Sequence, residues 1–403
     1  MSKYSKVPFT EIATLIRGVS YDKSVASVSA REGYMPILRA NNIQNSLVLN
    51  DLVYVPNDFV KEEQMIRKGD IVLAMSSGSK DLVGKSAQAV TNIDAAFGTF
   101  CGLIRAKENV DSKFLGLYFQ TQEYRNFVSY QSQGVNICNL KKKDIESLQI
   151  PLPPLTTQHA IVTRIETLFA ELDKAVQRLR TAQQQLKTYK QAVLNHWLNN
   201  EDGKWKTVKL GEVAEIKGGK RLPKGHYYSE KPTEYRYIMA GNLKNNTVSL
   251  DTNYIEKATY EVLKHYEVIG GEVYITIVGA CIGDVGIIPA NLGCSILTEN
   301  AAKIVNMNNI TPDFLTIVLR SSFAKTQIKS KILSATLGKL ALSRVAEIVV
   351  PLPPLSEQRR IVEEIESRLS QASTSSACIE EALQQTEALR QSILKKAFSG
   401  ELV

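Results

Sequence analysis

The segment PLPPLTTQHAIVTRIE at 151–166 returns as PLPPLSEQRRIVEEIE at 351–366. Ten of nineteen positions are identical between 151–169 and 351–369. The 200-residue offset continues outside this stretch. Gln191 and Leu194 match Gln391 and Leu394 downstream, and Phe114-Leu115 and Leu140 match Phe314-Leu315 and Leu340 upstream. Near the front, TEIATLIRG (10–18) resembles GEVAEIKGG (211–219). LRANNI (38–43) faces MAGNLK (239–244), and GDIVLAM (69–75) faces GEVYITI (271–277). Stacked solenoid units run roughly 20–45 residues, so this period is too long for one. The repeat instead demands a duplicated unit of one domain plus one appended element, read twice along 403 residues.

The appended elements read as long helices. After Pro154, apolar residues fall at Ile161, Ile165, Leu168, Leu172, Ala175, Leu179, Ala182, Leu186, Tyr189 and Val193, in alternating steps of four and three. That is a heptad seam, which specifies a coiled coil. PLPP is extended, because each residue before a proline is pushed out of the helical region. Thr156 or Thr157 is the expected N-cap and Gly203 the expected stop. Residues 156–198 would span about 64 Å at 1.5 Å per residue. The second copy follows through Ile361, Ile365, Arg368, Ala372, Ser375, Ile379, Ala382, Thr386, Leu389 and Ile393, with Ser356 capping and Gly400 ending it. Three of those positions are polar. Either the register shifts, for example through Leu369 and Leu383, or that face meets a partner. Packing one helix against the other is economical, and an antiparallel pair would carry the large domains to opposite ends of a rod. Tyr189 is expected in the core, His196 and Trp197 at a domain junction, and His159 without a metal.

The resulting boundaries are 1–152 and 204–352 for the large domains, and 153–203 and 353–403 for the helices. The large domains show short strand-like runs, IVLAM, VYITIVG, KIVNM and IEKATY, broken by Gly, Asn and Ser clusters. Helical stretches are expected near 113–130 and 312–331. The fold class is α+β, with mixed or antiparallel sheets.

Several chemistries are missing their motifs. GSKDLVGKS (78–86) puts five residues, not four, between Gly78 and Gly84, and AQAV does not open a long helix, so a phosphate-binding loop fails. The only Pro-Pro pairs stand in PLPPL, so the methyltransferase motif [ND]PP[YF] is absent; so are HExxH and G-x-S-x-G. The five cysteines (101, 138, 281, 294, 378) are scattered without CxxC, which favours reduced thiols over structural zinc. No window reads as a membrane span or signal peptide. These observations point to a binding protein with no catalytic residues, no cofactor and no metal of its own.

Net charge is +8 overall. It divides as +3 over 1–150, +1 over 151–203, +6 over 204–350 and −2 over 351–403. The large domains therefore hold the positive charge, and the helices are not a basic DNA-gripping rod. In KGGKRLPKGHYYSEKPTEYRY (217–237), Lys217, Lys220, Arg221 and Lys224 stand among glycines and tyrosines, Tyr227 included. Cations neutralise phosphates, and tyrosine donates or stacks. The first domain's counterpart offers Arg17, Tyr21 and Lys23. Arg39, Asn41 and Asn42 of RANN have side chains able to read guanine or adenine edges, as does Asn242 of AGN, followed by Lys244. An Asn-rich turn is the alternative. Ser77, Lys80 and Lys85 belong to polar Gly loops, as does SQGVN (132–136), and LKKKD (140–144) is a cation run that is a solvated face or a phosphate contact.

PLPPL-x-x-Q-x-x-I-V occurring twice near a 200-residue offset, heptads after each copy, and the closing ILKKAFSGEL together resemble the specificity subunit of type I restriction–modification systems. The resemblance covers the whole chain. It implies two target-recognition domains, each reading one half of a bipartite asymmetric duplex DNA site, with paired helices as a ruler between half-sites. It implies two methyltransferase subunits docking mainly on the helices and two ATP-driven restriction/translocase subunits. S-adenosylmethionine, ATP and Mg would belong to those partners, in the cytoplasm. The alternative is a non-catalytic coiled-coil scaffold joining two protein-binding domains.

Overall fold

A computed structural model describes residues 3–78, 82–131, 138–198, 203–244, 246–332 and 338–403. The chain divides into two compact units, Met1–Leu179 with Glu380–Val403, and Arg180–Ile379. Each holds one large domain and parts of both long helices.

In the first unit an antiparallel sheet runs Ala13–Arg17, Cys101–Ala106, Ile71–Ala74, Ser86–Gln88 in spatial order. A smaller mixed sheet runs Val53–Pro56, Tyr34–Leu38, Ala96–Phe97, its last pair parallel. Lys6–Pro8 pairs with Gln149–Pro151 where the domain meets the long helix. The second unit repeats the design. Its antiparallel sheet is Glu215–Gly218, Ala301–Val305, Val273–Thr276, Val285–Ile287. Its mixed sheet is Tyr228–Ser229, Asn253–Ile255, Arg236–Ile238, Ser295–Leu297, Glu267–Val268. Lys206–Lys209 pairs with Val349–Leu352. The α+β class is as read.

Local assignments differ in three places. Each expected domain helix is two: Ser112–Tyr118 with Gln122–Gln131, and Pro312–Arg320 with Ser322–Lys331. Thr121 and Ser321, 200 residues apart, interrupt them. Each hydroxyl donates back to a carbonyl, of Tyr118 or Val318, and accepts from a later backbone N–H, of Tyr124 or Ala324. The run IEKATY is strand only to Ile255; Lys257–Leu263 is helical, burying Thr259, Tyr260 and Leu263 on one face.

The long helices are Leu155–Trp197 and Leu355–Ser399. Their N-terminal amides fold back on prolines, not on hydroxyls. Pro154 O accepts from Thr157 and Gln158, and Pro354 O accepts from Gln358. Both helices thus start one residue before Thr156 and Ser356, which are not the caps. Gly400 ends the second at φ +82°, whereas Gly203 (φ +63°) lies six residues beyond Trp197. Among the described residues, no helix is long and apolar enough to cross a membrane.

The two helices pack together antiparallel. Arg390 pairs with Asp173 in the first unit, and Lys190 Nζ donates to Ser373 Oγ at 3.3 Å in the second. These crossings exchange under the 200-residue offset. The first seam holds from Ile161 and Ile165, fully buried, through half-buried Leu168, Leu172, Leu179 and Leu186. The second shifts. Arg368 and Ser375 are exposed, while Leu369, Ala372, Ser376, Ile379 and Leu383 turn inward between buried Ile361–Ile365 and Ile393. Arg368 instead reaches Glu364 and the Trp197 ring, and Trp197 packs in the second unit while His196 stays exposed. Two expected seam residues are outside: Tyr189 is 42% exposed and Leu389 50%. Their neighbours Lys190 and Arg390 take the inward position, lay their stems along the interface and carry the charge to the other helix.

The glutamine of PLPPL-x-x-Q fixes each helix to its domain. Gln158 accepts from Asp111 N (2.9 Å) and donates to Pro153 O (2.9 Å). Gln358 accepts from Thr311 N (2.9 Å) and donates to Asn309 O (2.8 Å) and Pro353 O (2.9 Å). Both are buried, and Asp111 and Thr311 are the N-caps of the domain helices that follow. A buried amide with these partners sets the angle at which helix leaves domain.

Candidate nucleic-acid interface

The strand registers gather the candidates. In the first domain Ala13–Arg17 ends where Cys101–Ala106 begins, where Ile71–Ala74 ends and where Ser86–Gln88 begins. Tyr34–Leu38 ends beside Phe97, and Gly98 N donates to Leu38 O. Loops 17–24, 39–51 and 98–100, with segments 75–78 and 82–85, therefore emerge at one end of the sheets, joined there by Cys138–Asn139 on Ser76–Ser77. Arg17, Tyr21, Lys23, Arg39, Asn41, Asn42, Ser77 and Lys85, far apart in sequence, all lie on these loops. Lys80 and SQGVN fall outside the described residues.

The second domain does the same. Glu215–Gly218 and Val273–Thr276 end where Ala301–Val305 and Val285–Ile287 begin. Arg236–Ile238 and Ser295–Leu297 run parallel and end together. Lys217, Lys220, Arg221, Lys224, Tyr227, Asn242 and Lys244 sit at or beyond that end.

A glycine sets the loop exit in each copy. Val19 N donates to Phe97 O and Lys220 N to Leu297 O, which pulls the preceding residue onto the neighbouring strand. A Cβ on Gly18 would stand 2.1 Å from Gly98 O, and one on Gly219 2.1 Å from Thr298 O. Only glycine allows that approach.

The polar side chains divide into two kinds. Asn42 is fully buried; its Oδ1 accepts from Arg39 N (2.8 Å) and its Nδ2 donates to Val48 O (2.9 Å) and Asn50 O (2.7 Å). Asn242 accepts from Met239 N (2.9 Å) and donates to Asp251 O (2.6 Å). These amides close equivalent short 3-10 turns, 40–42 and 240–242, so the turn reading describes both. Arg39 is half-buried and held by Asp51 through its carbonyl (2.8 Å) and carboxylate (3.0 Å), with Asn41 on the same carboxylate at 3.1 Å.

The rest face outward. Arg17 and Lys23 are exposed; Tyr21 is half-buried, and burial raises its pKa although Arg39 opposes the shift. Lys85 is half-buried, and Ser77 lies on its short strand. Lys217 pairs with Glu215 at 2.8 Å and Arg221 with Glu299 at 2.8 Å, which raises the guanidinium's pKa. Lys220 extends toward the Tyr266 ring, and its carbonyl accepts the Tyr237 hydroxyl at 2.7 Å. Burial pushes Tyr237 up to about 12, so it remains a donor bracing the basic loop. Lys224 and Lys244 are exposed, and Tyr227 is 77% exposed on the rim of an open groove of about 540 Å³ with His226 and Lys231.

Sequence reasoning missed one buried pair in each domain. Asp70 accepts from Arg67 N and takes a two-pronged contact from Arg105 (2.9 and 2.7 Å). Glu272 accepts from Ile269 N and holds Lys303 at 3.3 Å. Both acids follow a positive-φ glycine, Gly69 or Gly271, and that Gly-acid dipeptide in the aligned GDIVLAM and GEVYITI was the available signal.

The Methylase_S family, described as the type I restriction modification DNA specificity domain, matches residues 1–180 and 202–384. The EcoKI specificity subunit of Escherichia coli K12 is 32% identical over 98% of this chain and 88% of its own length. The StySPI specificity subunit of Salmonella potsdam is 30% identical over 99% and 89%. A solved chain from work on complex assembly and conformational transition of the type I R-M system superposes with TM-score 0.78 at 19% identity, over 99% of this chain and 98% of its own. The HsdS subunit of Thermoanaerobacter tengcongensis gives 0.55 at 18% identity, over 99% and 97%. These two share the fold. The chain belongs to the type I restriction–modification specificity subunits: it is the non-catalytic subunit that binds and recognises the DNA target site.

Proposed function

We propose that each large domain reads one half of a bipartite, asymmetric duplex site through its loop end, and that the paired helices set the gap between halves. The domains are 1–152 and 204–352, and the spacer helices 153–203 and 353–403. The carrying observation is the convergence of Arg17, Tyr21, Lys23, Ser77 and Lys85 on one strand end, matched by Lys217, Lys220, Arg221, Lys224, Tyr227 and Lys244 on the other domain's equivalent end. Asn41 and Arg39 stand beside the first set, whereas Asn42 and Asn242 shape loops. Cations here contact phosphates and fix register; the differing loops give differing half-sites.

Two methyltransferase subunits dock mainly on the helices, and two restriction/translocase subunits complete the assembly. S-adenosylmethionine, ATP and Mg belong to those subunits. The complex works in the cytoplasm.

Methylome sequencing of cells with and without the gene tests this. Loss of one two-part motif, its halves separated by unspecified bases, is expected; unchanged methylation overturns the reading. Charge reversal at Lys220, Arg221 and Lys224 should weaken binding to all duplexes, whereas a protein scaffold would tolerate it.

A further inference from the structure

The loop ends differ at one place where the surrounding backbone is the same. Leu15 and Ile216 hold equivalent positions opposite Ile104 and Ile304, which aligns Arg17 with Gly218 and Gly102 with Ala302. Leu140 N donates to Met75 O, and Leu340 N to Ile277 O, which aligns Lys142 with Leu342. In the second domain Leu342 lies over Gly218, its Cδ1 3.3 Å from where a Cβ would be, and packs on the apolar core. In the first, the same location is a cleft of about 380 Å³ with Arg17 and Lys142 among its lining. Leu15, Met75 and Gly102 form its floor, and Ser20, Thr99 and Asn139 line it with polar groups.

Resting on the DNA-reading function above, we propose that this cleft seats one backbone phosphodiester of the first half-site, and that the second domain lacks the equivalent seat. Arg17 and Lys142 supply two cations to a doubly liganded oxyanion, and the apolar floor suits the adjoining deoxyribose. Arg17 is exposed at its strand end and has no ion pair among the described residues. Among the described residues Lys142 pairs only with Glu146, one turn along at 3.4 Å and partly exposed, a weak pair that a phosphate displaces. The lysine belongs to the cation run at 140–144, whose two readings are a solvated face and a phosphate contact.

The experiment measures affinity of the complex with its methyltransferase for the cognate duplex, across salt concentrations. It compares wild type with R17G/K142L, which installs the second domain's residues, and with R17Q/K142Q, which keeps polar side chains while removing both charges and guards against a folding defect. Both variants should bind about tenfold more weakly, equally on cognate and non-cognate duplexes, with a log–log salt slope shallower by about 0.9 for one lost phosphate. Duplexes carrying a neutral methylphosphonate at single positions should reveal one linkage, in the first half-site, whose neutralisation weakens wild type but not the variants. An unchanged slope, a loss confined to particular base pairs, or no such linkage overturns the phosphate seat while leaving DNA recognition standing. Failure of the wild-type complex to bind any duplex overturns both.

Discussion

Gln158 and Gln358 make the same N-cap attachment in the two domains, whereas Arg17 and Gly218, equally equivalent in the backbone, differ: Arg17 is exposed and Gly218 lies under Leu342. The divide follows distance from the helices. Where domain meets helix, the copies keep bonding role and offset: glutamine on an N-cap amide, a hydroxyl at Thr121 and Ser321 as breaks, paired edge strands. Where loops leave the sheets, they keep only backbone geometry, through Gly18 and Gly219, and exchange the side chains around it. Duplication under one docking constraint and two different targets produces that gradient. It can be broken by substitutions that should act alike in both copies and sharpened by those that should not.

The largest expected difference lies in the buried ion pairs. Asp70 is 3% exposed, and Arg105 gives it two hydrogen bonds and also reaches the carbonyls of Glu63 and Met65. Removing one partner of such a pair costs about 3–5 kcal/mol. Arg105→Met should destabilise the first domain by about 4 kcal/mol, read as loss of its melting transition or of hydrogen-exchange protection. Lys303→Met should cost about half, because Glu272 is less enclosed and can turn toward water. Equal losses would mean that the two pairs do the same work despite different cations.

Gly18→Ala and Gly219→Ala should act alike. Each places a methyl 2.1 Å from a backbone oxygen, so the strand must move, at about 3 kcal/mol, the upper end for overpacking. Melting of both variants checks this, and tolerance of either would show that the loop exit is not fixed by close approach. Gln358→Ala strips three hydrogen bonds and Gln158→Ala two, leaving buried backbone groups unpaired. About 2–3 kcal/mol is expected for the former and about 1–2 for the latter. The reverse order would contradict the bonding.

These differences explain what could be read in the sequence. The duplication, the α+β domains, both helices and the first seam follow from identity at a fixed offset and from apolar periodicity, which local sequence carries directly. The candidate basic loops were legible as composition, and their gathering at one strand end follows from strand pairing, which composition does not encode. Asn42 was ambiguous because a turn and a base contact use the same amide; its burial under Val48 and Asn50 carbonyls is a tertiary fact. The cleft between Arg17 and Lys142 joins residues 125 positions apart and required the register.

The smallest expected effect tests the helix pair. Tyr189 and Leu389 fall on inherited seam positions yet stand exposed, since Lys190 and Arg390 face inward and reach Ser373 and Asp173. A side chain already in water loses little when made polar, so Tyr189→Gln and Leu389→Gln should each change stability by no more than about 0.5 kcal/mol. Leu172→Ala, on the half-buried seam two turns from Ile165, should cost more than either, toward the lower end of the roughly 2–5 kcal/mol seen for core leucines. Chemical denaturation of the three variants decides between registers. Core-sized losses at 189 or 389 would restore the strict heptad and displace both cation crossings. Near-silence at both, with a clear loss at 172, would establish that each helix keeps its seam near its own domain and exchanges leucine or tyrosine for a long cation where it crosses the other.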